Sequence, residues 1–231
     1  MFQHTVVIGF SPEIGYIKKA IMGDMLIEAA KREMDERAAR RRASGSPALL
    51  RTDATAYSGP ARIRSINTSP HKGTRKTPVP GGVDRVIEQF GLESDAHAGH
   101  WHRQVSLLTE ESIRTAQARG LNVKDGDFGE NVTTEGIDLH ALPLGTLLRL
   151  GPEVLIEISQ IGKVCHTRCA IYYLAGDCIF PHEGIFGVVL HGGEIHVDDV
   201  IEIERLGSGT CTFTPPEALA EVEQAKRDGT L

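Results

Sequence analysis

The chain has little cysteine, no excess of basic charge and no long apolar run, and each shortage excludes something. Four cysteines in 231 residues fall short of the disulfide framework of a small secreted domain. Three of them, Cys165, Cys169 and Cys178, crowd into fourteen residues, so reduced thiols are the expectation. They lack the paired C-x-x-C units of a zinc ribbon. A formal net charge of -6, with no helix-turn-helix or RNA-binding signature, argues against nucleic acid as a partner. The N-terminal apolar run, Val6 to Phe10, is too short for a signal peptide or a membrane span. A cytoplasmic protein with no membrane partner is therefore expected.

What is present supports a real core. Hydrophobic residues make up 40% of a chain long enough for one full-sized domain with an extension. Residues 13–42 read as a helix, with Ile14, Ile17, Ile21, Met25 and Ala29 at steps of three and four. Such an amphipathic helix would dock on its own domain or on a second subunit, making a homo-oligomer. The following stretch to Pro60 is rich in Ser, Gly, Ala, Thr and Pro and reads as a linker.

Beyond it come short apolar runs bounded by turn residues: Ala61 to Asn67, Gln104 to Leu108, Leu147 to Leu150, Val154 to Ile158, Gly187 to Leu190, Glu194 to Val197 and Val200 to Ile203. One helix, Thr109 to Arg119, has acids in its first turn and Gly120 as its stop, and a second, Pro215 to Lys226, closes the chain. The expected fold is mainly β, a closed or nearly closed β-barrel with few helices plus an N-terminal helical extension. The expected domains are an extension and linker at 1–58, a main domain at 59–206 and a tail with a short helix at 207–231.

Three clusters can carry chemistry. Asp95, His97, His100 and His102 precede Arg103 at the mouth of a strand; imidazole and carboxylate are ordinary zinc ligands, but the spacing matches no familiar metal motif, and lining a polar pocket or hydrogen bonding in a loop is the leading reading. The loop Ser69 to Pro78 carries Lys72, Arg75 and Lys76 with no acid, a charge that suits a phosphate or another anion. The segment Gly162-Lys163-Val164-Cys165-His166-Thr167-Arg168-Cys169 places two thiols beside fixed cations, which favour the thiolate, the form that attacks and that binds soft metals. A Cys165–Cys169 disulfide is open here, as is inert burial for Cys211.

Several ordered phrases make the chain resemble a known family. Gly91-Leu92-Glu93-Ser94-Asp95-Ala96-His97-Ala98-Gly99, Arg103-Gln104-Val105-Ser106-Leu107-Leu108, Asp127-Phe128-Gly129-Glu130-Asn131-Val132-Thr133-Thr134-Glu135-Gly136, Gly162-Lys163-Val164-Cys165-His166, Gly176-Asp177-Cys178 and Gly192-Gly193-Glu194-Ile195 are similar to those of the MOSC domain, named for the C-terminal domain of molybdenum cofactor sulfurase. The likeness is to its compact stand-alone bacterial type, over roughly residues 59–206.

The resemblance implies a β-barrel that binds the molybdenum cofactor, molybdopterin, through a cysteine that ligates molybdenum or carries sulfur. Cys165, just past the run Val154 to Ile158, is the first candidate for that thiol and for the molybdenum ligand; Cys169, preceded by Arg168, is the alternative. Lys72, Arg75, Lys76 and Arg103 would hold the pterin phosphate, Asp95 and His97 would line the pocket, Glu130 or Asn131 would meet the ring's polar edge, and Lys163 and Arg168 would add charge around the thiol. The implied function is cofactor metabolism or reduction of N-hydroxylated substrates, by a molybdenum-dependent oxidoreductase or a sulfur transferase. The alternatives are a non-catalytic carrier serving molybdoenzymes or cofactor-biosynthesis proteins, and a zinc-binding protein. Two positions depart from the family pattern: Ser94 and Asp198 stand where glycine is usual, which tests whether those turns need positive φ.

Overall fold

Two strands with near-continuous apolar sequence, Val105–Thr109 and Ile185–His191, occupy the middle of the larger sheet, as expected of strands covered on both faces. The computed structural model describes residues 60–166, 170–175, 178–229 and 231, together with Arg32. Apart from Arg32, the expected helix at 13–42, its linker up to residue 59, Arg168, Cys169 and the Gly176-Asp177 pair lie outside the described residues. All described residues but Arg32 belong to one unit, Pro47–Leu231.

The strands are β1 (Arg62–Thr68), β2 (Thr77–Pro78), β3 (Val83–Ile87), β4 (Gly91–Leu92), β5 (Val105–Thr109), β6 (Val132–Glu135), β7 (Leu147–Leu150), β8 (Val154–Ile161), β9 (Ile185–His191), β10 (Gly193–His196) and β11 (Ile201–Arg205). Among the described residues the α-helices are α1 (Glu110–Ala118), α2 (Ala170–Ala175), α3 (Phe180–Glu183) and α4 (Pro216–Arg227), the last following the final strand. The fold is mainly β with few helices, as expected. The seven expected strands and both expected helices of this region are present, with ends shifted by up to three residues. β2, β3, β4 and β6 are additional, as are α2 and α3. In β3 only Val86 is buried, so its sequence lacks the alternation that marks a half-buried strand.

The expected barrel is not formed. An eight-stranded sheet runs β11-β7-β8-β9-β5-β6-β1-β2, a three-stranded sheet runs β10-β3-β4, and neither closes on itself. The ends of the larger sheet meet only at a seam, where Arg62 bridges Val200. Beside that bridge, the Ile63 N–H donates to the Asp199 carbonyl at 2.9 Å, and those of Asp198 and Ile201 donate to Ile63 and Ala61 at 2.8 Å. Pairing stops there because Asp198 turns the chain in the left-handed region, at φ 73°, while the far end of β1 pairs with β2. Aspartate is among the few non-glycine residues that tolerate this conformation. Ser94, by contrast, is not among the positive-φ residues, and its hydroxyl donates to Asp84 at 2.7 Å. The turn at 94 therefore does not require glycine, whereas the turn at 198 does favour it.

Side chains alternate across β5 and β9, and this sets up two hydrophobic clusters. Leu107 and Ile185 point into the main aliphatic core with Ile63, Ile66, Ile156 and Ile158. Leu108 and Phe186 point the other way, to a second cluster with Ile113 of α1, Phe128, Ile171 of α2 and Phe180 of α3. α1 is held over that face by its start: the Thr109 hydroxyl accepts from the Ser112 N–H at 3.1 Å, Glu110 and Glu111 occupy the first turn, and Gly120 follows the end at φ 87°. A cap of this kind contributes about 1 kcal/mol.

Candidate functional site

On the α1 side of β5 and β9 lies a cavity of about 290 Å³, at the lower end of what small-molecule sites occupy. Its apolar wall is Phe128, Ile171, Phe180 and Phe186. Facing it are Lys76, Arg103, Lys163, His97 and His166, with Trp101, Ser106, Asn131 and Cys165 between them. Among the described residues, no acidic side chain lines the cavity, so an anion bound inside it meets chiefly opposite charge.

Each of these residues is placed by local chemistry. Lys76 is 2% exposed, its ammonium 2.8 Å from Asp95 Oδ2. Asp95 also accepts from the N–H of Ser69 at 3.1 Å and of His97 at 3.2 Å. Burial draws the Lys76 ammonium below the ordinary lysine value, against the pull of Asp95. Burial pushes Asp95 up, but the ammonium and its hydrogen bonds outweigh it and hold the carboxyl below the usual range. The two shifts favour opposite states of the pair; the 2.8 Å contact and the further donors on Asp95 favour the ion pair. The Lys76 backbone is fixed as well, its N–H donating to Gly126 at 2.9 Å. Gly126 has φ 84°, and a Cβ there would stand 2.5 Å from the Lys76 carbonyl oxygen, so only glycine fits.

Arg103 lies between two rings, its guanidinium carbon 4.7 Å from the Trp101 centroid and 5.5 Å from that of Phe186. Its Nε is buried without a hydrogen-bond partner among the described residues. His97 Nδ1 is in the same condition, 3.7 Å from Asp95 Oδ2. Burial, and then the Lys76 charge, push His97 below its ordinary value, so it is neutral at pH 7. Two orphaned nitrogens beside a cationic, acid-free cavity are donors and acceptors awaiting a polar ligand.

The thiol segment is braced from behind. The Gly162 and Lys163 N–H groups donate to Gly184 and Pro181 at 2.8 Å, and the Gln160 amide donates to the Gly162 carbonyl at 2.7 Å. The other end of Gln160 lies 2.7 Å from His102 Nε2, tying the histidine loop to the thiol segment. Burial keeps His102 below its ordinary value despite that contact. Cys165 is exposed at the cavity; Cys178 is half-buried and Cys211 buried, and none of the three is in a disulfide. Burial pushes the Cys211 thiol up, in keeping with an inert role.

The cavity thus brings together Lys76, His97, Arg103, Asn131, Lys163 and Cys165 from the expected residues. The other described candidates stand elsewhere. Asp95 lies behind Lys76, Lys72 is exposed, and Arg75 reaches Asp127 at 3.5 Å. Glu130 is fully buried: Oε1 accepts from the Gly126 N–H and from Thr133 at 3.1 Å, while Oε2 has no partner, and burial pushes the carboxyl up to about 7. Asn131 lines the cavity but spends its amide internally, Oδ1 accepting from the Ser106 N–H and hydroxyl at 3.1 and 2.9 Å. Trp101, Ser106 and the phenylalanine wall were not singled out in advance. The chain's lone tryptophan, two residues before Arg103, was a signal for the first; the wall residues are scattered over the sequence and meet only where a turn, two helices and β9 pack together. Among the described residues, no three His, Cys, Asp or Glu side chains gather into a metal-ligand set.

The family model described as the MOSC domain matches residues 94–202, which supply most of the cavity and include Cys165. Those residues carry a MOSC domain. Solved structures agree on the fold: YiiM from Geobacillus stearothermophilus is 22% identical with a TM-score of 0.53, covering 73% of this chain and 86% of that one. The YUAD protein from Bacillus subtilis is 15% identical with a TM-score of 0.51, covering 62% of this chain and 94% of that one. No curated protein matches the sequence. MOSC domains are associated with molybdenum-cofactor binding, and the residues of this one fit such a group: cations for its phosphate, orphaned nitrogens for its polar edge, an aromatic wall for its rings and a thiol within reach. Among the described residues, no helix is long and apolar enough to cross a membrane.

Proposed function

We propose that this cavity holds the molybdenum cofactor and that Cys165 is its functional thiol, either as a molybdenum ligand or as the carrier of a transferable sulfur. The observation that carries this reading is the placement of the exposed Cys165 thiol in a cavity lined by Lys76, Arg103 and Lys163, with no acid among its described lining residues. When bound, the cofactor supplies a molybdenum centre for reductive or sulfur-transfer chemistry. The chain supplies the surroundings. Lys76 and Lys163 attract the phosphate, and Arg103, already held against two rings, can meet it with a fork of donors. The apolar wall excludes water and strengthens those contacts. His97, neutral at pH 7, can accept a proton at Nδ1 or share one with the ligand. Exposure of Cys165 also suits delivery of sulfur to a molybdoenzyme or a cofactor-biosynthesis protein.

The test is molybdenum and pterin content, with mass spectrometry of the Cys165 peptide, on protein from a host that makes the cofactor. The wild type should carry pterin together with molybdenum or a persulfide on Cys165. Cys165→Ala should lose the molybdenum or the persulfide, and Arg103→Ala the pterin, both with the fold intact by circular dichroism. Wild-type protein with neither pterin nor persulfide would sink the reading.

A further inference from the structure

The cavity is cationic inside, yet its rim carries the opposite charge. α4 packs through Val222 and Ala225, both buried, which leaves Glu217 and Glu221 exposed one turn apart. Glu221 Oε1 lies 2.7 Å from Nε2 of His166, the neighbour of Cys165, and its charge also acts on Arg103. Glu217 acts on His102 at the adjacent loop. Glu221 thus stands against the neighbour of one exposed thiol, with Glu217 one turn away on the same helix.

We propose that Glu217 and Glu221 form an acidic gate that sets which charges reach Cys165. A cationic cavity with an open thiol would otherwise concentrate small anions at the sulfur. The carboxylates cancel that attraction at the rim but not at the deeper Lys76, so a long ligand keeps its anionic end bound while small anions are turned away. This deepens the reading above, since it takes the cavity's ligand to be anionic.

The test uses the full chain from a host without the cofactor, alkylated at low ionic strength with neutral iodoacetamide or anionic iodoacetate. Modification of the Cys165 peptide is followed by mass spectrometry. A pair of carboxylates at the rim should hold back the anionic reagent on the order of fivefold at low ionic strength. The double variant Glu217→Gln/Glu221→Gln should therefore raise the iodoacetate to iodoacetamide rate ratio by about that factor, and about 0.5 M salt should erase the difference. An unchanged ratio overturns the gate. So does an equal rise in both rates, which would mean that the helix blocks access by bulk alone. Because neither reagent needs the cofactor, a shifted ratio supports the gate even where molybdenum and pterin analysis refutes cofactor binding.

Discussion

Leu107 and Leu108 are neighbours in β5, as are Ile185 and Phe186 in β9, yet each pair is split between two clusters of different character. The first cluster is aliphatic, drawn from both sheets, and sealed: Ile63, Leu107, Ile156, Ile158 and Ile185 have no exposed surface. The second includes Phe128, Phe180 and Phe186, and one side of it is the wall of the cavity. Branched aliphatics interlock between pleated surfaces, whereas rings present broad flat faces to a ligand and to the Arg103 guanidinium. One face of the same strands therefore holds the fold, and the other holds the site.

That contrast can be broken most forcefully at the buried ion pair beneath the site. Asp95→Asn leaves the Lys76 ammonium buried without its counter-charge and should cost about 4 kcal/mol, read as a lower denaturant midpoint. A loss under about 1 kcal/mol would show that Lys76 is already neutral. Next in size, Ile156→Ala opens a hole in the sealed core and should cost about 3.5 kcal/mol. Phe186→Ala borders an existing cavity and should cost about 2 kcal/mol, but weaken phosphate or pterin binding, which Ile156→Ala leaves intact. Equal costs, or binding lost in both, would erase the distinction between the two faces.

Third comes the buried acid beside the site. The folded Glu130 carboxyl sits at about 7 against an ordinary 4.5. A raised value means that its contribution is complete below pH 4.5 and is lost as pH rises through 7. The wild type should therefore lose about 3 kcal/mol relative to Glu130→Gln between about pH 4.5 and 8. Parallel stability curves for the two proteins would place the titration elsewhere. The smallest effect concerns neither face: Asp198→Gly relieves a left-handed turn and should stabilise by about 0.5 kcal/mol, the gain reduced by the greater freedom of glycine in the unfolded chain. A fall in Tm would show that the aspartate side chain itself supports the turn.

The sheet was largely legible in advance because its strands alternate or run apolar between turn residues, as in Val154 to Ile158, and because Thr109 and Gly120 mark the ends of α1. Closure was not, since it depends on how far Arg62 and Val200 can continue pairing, which is a matter of turn geometry at Asp198 and not of periodicity. In the site, Lys76, Arg103, Lys163 and Cys165 could be named because charge and thiols stand out in a sequence. The depth of each side chain could not. Glu130 and Asn131 are neighbours in one phrase, yet one is walled off and the other bridges β5 through Ser106 at the cavity's edge.

The seam at Arg62 and Val200 has a bearing on how the molecule breathes. A closed barrel exposes no amide until a large part of it opens, but here a few hydrogen bonds between residues 61–63 and 198–201 are all that join the two ends of the larger sheet. Amide hydrogens of Ile63, Asp198 and Ile201 should exchange with solvent through local parting of that joint, well ahead of those in β5 and β9, where a strand lies on either side. The thiol cavity is built on those two central strands, so it can keep its shape while the far edge of the sheet comes undone.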